Sequence, residues 1–158
     1  AHHRIVAVSA GAKAFLDLPR TLEYLETMGV PVLGWQHDWF PAFYTRSSGL
    51  AIPHRVESAD EVARIAASLT RPQSGMLLTV PIPEADELDA SHLDEVLAGA
   101  LAECEAQGVT GAAITPFVLG RIGEATEGRS IPANLSLAEN NAKVAADVAV
   151  AIAALGAG

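Results

Sequence analysis

The chain has 158 residues, of which 50% are apolar and 18% charged, and it carries a formal charge of −9 at pH 7. That balance excludes a disordered chain, and it disfavours a phosphate-tracking nucleic-acid binder or a basic membrane-surface protein. One cysteine excludes a disulfide scaffold and argues against a cysteine-based zinc site, and no apolar run reaches the ~18–20 residues of a membrane span.

The chain enters its first element almost at once, and Arg4-Ile5-Val6-Ala7-Val8 reads as a buried strand. So abrupt a start is expected of the later part of a longer protein. A small-residue turn, Ser9-Ala10-Gly11-Ala12, leads to Lys13. Leu18, Leu22, Leu25 and Met28 then recur at helical spacing, which predicts a helix through roughly 20–28 ending at Gly29. Val30 to Gly34 reads as a second strand, giving a strand–helix–strand unit of the kind that builds parallel sheets.

Trp35 to Pro53 is irregular and holds both tryptophans, one tyrosine and two of the four phenylalanines. Loops this long are usually functional or interfacial, and Trp35, Trp39, Phe40 and Phe43 are expected to be exposed and to bury against a neighbouring subunit. Val56 closes a brief extended segment. Ser58-Ala59-Asp60-Glu61 is a capping box that opens a helix through about Leu69.

Gly75 to Val80 predicts a third buried strand, stopped by Pro81-Ile82-Pro83. Asp86, Glu87, Asp89, Asp94 and Glu95 read as a solvated helix entrance, followed by the stripe Leu93, Val96, Leu97, Leu101 and Cys104 ending at Gly108. Core packing is the expected role of Cys104. Thr115-Pro116 is expected to cap a further helix with Phe117, Leu119 and Ile122 inside. The last helix is the longest, with Leu137, Asn141, Val144, Val148, Ile152 and Leu155 as its core stripe. Short strands alternating with longer helices predict one α/β domain over residues 1–158, a layered α/β/α sandwich with a mixed, mostly parallel sheet.

Lys13 and Lys143 are the only lysines. Lys143 lies beside the core stripe and is expected to be exposed. Lys13 follows a strand and a glycine-containing turn, where open α/β sheets bind ligands. An amine withdrawn from water there could add to a carbonyl; the plainer alternative is a surface lysine or a phosphate clamp. The segment Tyr44-Thr45-Arg46-Ser47-Ser48-Gly49 offers a guanidinium, hydroxyls and backbone N–H groups to an anion, against a structural loop whose arginine pairs with a carboxylate. His37 and Asp38 are adjacent and weak as a metal pair. Asn134 and Asn141 are seven apart, nearly on one helix face. Asn134 reads as an N-cap and Asn141 as a core amide bonded to backbone, or one of them reaches a substrate. No dinucleotide fingerprint, P-loop or nucleophile elbow is present.

Taken together, Ala10-Gly11-Ala12-Lys13, Leu16 to Thr27, Gly29-Val30-Pro31-Val32, Phe40 to Gly49, Pro81-Ile82-Pro83-Glu84, Thr115-Pro116-Phe117 and Asn140-Asn141-Ala142 resemble the pseudouridine-5'-phosphate glycosidase family, which includes indigoidine synthase A-like proteins. The resemblance runs from Arg4 to Leu155. It implies reversible cleavage of the C–C glycosidic bond of pseudouridine 5'-phosphate to uracil and ribose 5-phosphate, with Lys13 as the covalent lysine. It also implies Asn134 as a second active-site residue, with Asn140 and Asn141 as alternatives in register. Arg46, Ser47 and Asn141 are the candidate substrate contacts. A cytoplasmic homotrimer is implied too, acting on a phosphorylated small molecule with no nucleic acid or membrane partner. A general-acid Glu, a second lysine, a substrate-binding Asp and an Asp that holds Mn2+ are expected upstream, so the resemblance implies an incomplete site and no metal ligand within this chain.

Two positions depart from the family pattern: Val80 where an Asn is expected, and Trp39 where an acid is expected. A related glycosidase acting on another sugar phosphate, an indigoidine-pathway member, and a diverged half-domain serving as a binding or assembly module remain alternatives.

Overall fold

The computed structural model describes residues 3–69 and 75–156. Four strands, β1 (Val6–Ser9), β2 (Val32–Trp35), β3 (His54–Val56) and β4 (Met76–Thr79), form one sheet in the order β1-β4-β2-β3. Each of the three pairings is parallel, with Ser9 opposite Thr79, Gly34 opposite Thr79, and Trp35 opposite Val56 at their carboxyl ends. Antiparallel pairing is confined to two isolated bridges, Gly11 with Ala42 and Trp39 with Ala51. The layered α/β class expected from the sequence holds, with its mixed character reduced to those bridges.

Five helices accompany the sheet: α1 (Leu18–Thr27), α2 (Ala59–Ser68), α3 (Ala90–Ala106), α4 (Ile114–Ala125) and α5 (Ser130–Gly156). Side chains alternate across a strand, and the strands here divide their residues accordingly. Val32 and Leu77 face a cluster with Leu18, Leu22 and Leu25 of α1. Leu33, Met76 and Leu78 face Val62 of α2 and Val144 and Val148 of α5. A third core lies beyond the strand ends, where α3, α4 and the first turns of α5 enclose Ala10, Tyr44 and Ile82.

The helix ends follow local chemistry. Asp17 accepts the Arg20 N–H at 3.0 Å to start α1, and Gly29, at φ +65°, terminates it. Ser58 accepts the Glu61 N–H at 3.3 Å, while the Glu61 carboxylate reaches the Glu57 N–H at 2.8 Å, one residue before the cap. Asp89 starts α3 by accepting from the His92 N–H at 2.7 Å.

Several expectations are corrected. β1 is an edge strand and only partly covered, with Ile5 just before it 56% exposed, so it is not the buried strand its apolar residues suggest. Thr115 caps nothing, because a 3-10 turn at Gly111–Ala113 runs directly into α4 and leaves Thr115 inside the helix. Asn134 is not an N-cap: α5 begins four residues earlier, where the Ser130 N–H donates to the buried Thr126 hydroxyl at 3.2 Å. In α5, Ile152 and Leu155 are exposed and Ala151 takes the buried position. Leu101 is likewise exposed, whereas Cys104 is buried as expected. No described helix is long and apolar enough to cross a membrane.

Candidate active site

The carboxyl ends of the parallel strands and the long loop after β2 meet on one side of the sheet. At the end of β1 the Val80 N–H donates to the Ser9 carbonyl at 2.8 Å, and the Ser9 hydroxyl turns back to the Gly11 carbonyl at 3.2 Å. Gly11 sits at φ +75°, and a Cβ there would lie 1.8 Å from the Pro41 carbonyl oxygen. Only glycine lets the two backbones touch. The Phe43 N–H then donates to the Ala10 carbonyl at 3.1 Å, so the turn that carries Lys13 is fastened to the aromatic loop.

Lys13 is partly buried. Its Nζ stands 5.8 Å from the centroid of the Phe15 ring, within cation–π range. The enclosed space it helps line with Phe15, Phe43, Tyr44 and Leu119 is about 10 Å³, room for one water. A molecule larger than water does not fit in that space.

The loop over residues 36–53 is held by its own polar groups. The Ser48 hydroxyl donates to the Phe40 carbonyl at 2.7 Å, and the Ser47 hydroxyl accepts the Gly49 N–H at 3.1 Å. Arg46 serves as a strut: Nη1 donates to the Ile82 carbonyl at 2.7 Å, while its backbone N–H donates to the Glu87 carboxylate at 2.7 Å. Burial pushes the Tyr44 hydroxyl's pKa up, and a hydrogen bond with Ser130 on α5 opposes that shift. The aromatics do not share one fate: Phe40 is fully buried, Trp35 and Phe43 are half-buried, and only Trp39, at 46%, is exposed. The expectation of four exposed rings is corrected accordingly.

On α5, Asn140 Nδ2 donates to the Pro81 carbonyl at 3.2 Å, where β4 leaves the sheet. Asn141 is half-buried with its Oδ1 enclosed and without a hydrogen-bond partner. Asn134 is exposed, as is Lys143. The structure thus gathers Lys13, Arg46, Asn140 and Asn141 around the strand ends, and it leaves Asn134 and Ser47 at the surface. The sequence presents His37 only as half of a weak metal pair with Asp38 and does not show its burial. His37 is buried two residues beyond the end of β2 with an unpartnered Nε2, and burial, then the Arg46 guanidinium, hold its pKa below the ordinary value. An isolated His-Asp pair in an aromatic stretch gives no sequence signal for that.

Among the described residues no group of three or more His, Cys, Asp or Glu is placed to hold a metal ion. These described residues do not fit a manganese site.

The family model described as "Indigoidine synthase A like protein" matches residues 1–151. The chain belongs to that family. As an indigoidine synthase A-like chain it is 49% identical over 155 residues to the pseudouridine-5'-phosphate glycosidase of Sorangium cellulosum, covering 98% of this chain and 49% of that protein. It is 47% identical to the protein of that name from Caldanaerobacter subterraneus, over 95% of this chain and 50% of that one. Two solved structures share the fold at comparable coverage. One is the prealnumycin C-glycosynthase AlnA in complex with ribulose 5-phosphate, with a TM-score of 0.89, 34% identity, and coverage of 98% of this chain and 52% of that chain. The other, an indigoidine synthase A-like protein from Thermotoga maritima, has a TM-score of 0.82, 35% identity, and coverage of 92% and 48%. The family chain described here spans about half the length of the curated relatives it matches.

Proposed function

We propose that this chain supplies the amine side of a C-glycosidase site, with Lys13 forming a Schiff base during reversible cleavage of pseudouridine 5'-phosphate to uracil and ribose 5-phosphate. The observation that carries the reading is Lys13 on a rigid turn at the carboxyl end of a parallel strand, in a chain 47–49% identical to proteins named pseudouridine-5'-phosphate glycosidase. A C–C glycoside has no leaving heteroatom to protonate, so ordinary displacement by a carboxylate pair is poor. An amine avoids the difficulty. Lys13 Nζ bonds to the anomeric carbon as the ring C–O bond breaks, and the ring oxygen takes a proton. The nitrogen lone pair then forms C=N while the bond to uracil breaks, and the departing carbon takes a proton. Water adds to the iminium, releasing ribose 5-phosphate and restoring the amine. Arg46 holds the loop against the segment after β4, and Asn134, exposed near the start of α5, is the second active-site residue in this reading.

In this reading the general acid and any manganese ligand lie outside residues 1–158, and the working enzyme is a cytoplasmic homotrimer whose oligomeric state light scattering on the complete protein would test. Borohydride added with ribose 5-phosphate is expected to leave one pentose-phosphate adduct on Lys13, seen by peptide mass mapping. Lys13→Ala abolishes the adduct; an adduct retained by that variant refutes the assignment.

A second reading has its own support. AlnA, a C-glycosynthase solved with ribulose 5-phosphate, superposes on nearly the whole chain, while Val80 is buried in the apolar core and Trp39 stands exposed at the two positions that depart from the family pattern. A related glycosidase on another sugar phosphate would trap the lysine equally but leave pseudouridine 5'-phosphate intact, which product analysis distinguishes.

A further inference from the structure

Phe43 is held at φ +67°, in the left-handed region that bulky side chains rarely adopt and that glycine or asparagine ordinarily fills. Gln36 and Glu127 are the other described non-glycine residues at positive φ, and both are polar. The chain reverses at Phe43. The Ala42 N–H donates to the Thr45 carbonyl at 3.0 Å, and the Phe43 N–H donates to the Ala10 carbonyl at 3.1 Å. Tyr44, next in sequence, is buried in the core beyond the strand ends, with its carbonyl accepting from the Leu88 N–H at 3.1 Å. All of these bonds use backbone atoms, so a glycine at position 43 could make them without the strain. A phenylalanine in this conformation carries a cost that its ring has to offset.

The ring makes two kinds of contact. It stands edge-on to Tyr44, with centroids 4.8 Å apart and planes at 72°, an arrangement that fixes its orientation. It also lines, together with Lys13, Phe15 and Leu119, the space of about 10 Å³ described above. Phe15, on the same space, has its ring centroid 5.8 Å from the Lys13 Nζ. A lysine stem is flexible, and a cavity of that size leaves it nowhere to fold while the Phe43 ring is present.

We propose that Phe43 is a positioning residue for Lys13. Its ring fills the space into which the lysine stem would otherwise fold, and so fixes where the amine stands. The strained backbone is what sets the ring against both Tyr44 and that space. This rests on the Lys13 reading above and adds to it a residue that acts only through the lysine.

A displaced amine lowers rate more than affinity. The experiment uses the complete protein. Reductive methylation with isotopically labelled formaldehyde gives each lysine an NMR signal, and that of Lys13 is identified by its loss in Lys13→Arg. In the wild type it is expected to stand apart from the signal of exposed Lys143, displaced by the Phe15 ring; in Phe43→Gly it moves toward the Lys143 position. Borohydride trapping with ribose 5-phosphate is expected to slow by about tenfold or more at saturating sugar in Phe43→Gly, with the half-saturating concentration unchanged. Phe43→Tyr keeps the ring and restores both readouts. If the glycine variant does not fold, Phe43→Leu is expected to show the same two changes. A Lys13 signal that stays in place overturns the proposal and leaves the ring to core packing. A higher half-saturating concentration at unchanged rate overturns it too, by making Phe43 a sugar contact. A wild type that is never trapped refutes the Schiff base, and the Lys13 signal then decides on Phe43 alone.

Discussion

His37 shows how one side chain sets a pH limit on the loop. Its ring is buried with Nε2 unpartnered, and the charged groups that act on it are Arg46, Asp38 and Arg55. Burial foremost, then Arg46, lowers its pKa from 6.5, against the opposing pull of Asp38. The folded state therefore resists a proton that the unfolded chain accepts at its ordinary pKa. Stability contributed by the neutral ring is present above pH 6.5 and is lost as pH falls from there to the lowered value, below which the curve levels. Urea unfolding from pH 7.5 down to about 5 should show this decline in the wild type, and His37→Gln should flatten it. Equal slopes in the two proteins would contradict the account.

At the scale of elements, the turn after β1 and the long loop behave as one unit because Gly11 and Pro41 touch through their backbones. Gly11→Ala meets both a clash with a carbonyl and an unfavourable positive φ, so a loss of about 2–4 kcal/mol is expected in urea unfolding. The adduct on Lys13 should weaken with it. Much of this level was legible in the sequence. Gly29, Ser58 and Gly108 punctuate helices through backbone chemistry that needs no tertiary context, and Lys13 was located because a strand and a glycine turn precede it. What stayed hidden depends on neighbours distant in sequence. An edge strand and a central one share the same apolar residues, so composition alone does not tell that β1 lies at the edge of the sheet. Loop composition does not say that Phe40 goes inward while Trp39 stays out. Thr115-Pro116 looks like a cap until the preceding 3-10 turn is known, and the orphan atoms of His37 and Asn141 exist only once the packing does.

Across the whole molecule, α5 is the common support. Its 27 residues, roughly 40 Å of helix, place Ala133 and Leu137 in the core beyond the strand ends and Val144 and Val148 in the core against the sheet. A break between them should be felt in both. Ala142 is exposed, so Ala142→Pro removes a helix hydrogen bond without deleting any core side chain and is expected to cost about 3 kcal/mol. Hydrogen exchange should then rise together in α3 and β4, which contribute to different cores; a rise limited to α5 would show that the cores are independent.

The outer side of β1 has a consequence for handling the isolated chain. Among the described residues it is paired only with β4, so its other row of amides and carbonyls is free to template an incoming strand, with exposed Ile5 and Ala7 alongside. No proline interrupts it, and Arg4 is the single cationic gatekeeper flanking Ile5 and the strand. Uncapped, this seam favours stacking of one copy on another, so storage at high concentration selects for filaments or precipitate unless something else closes the row.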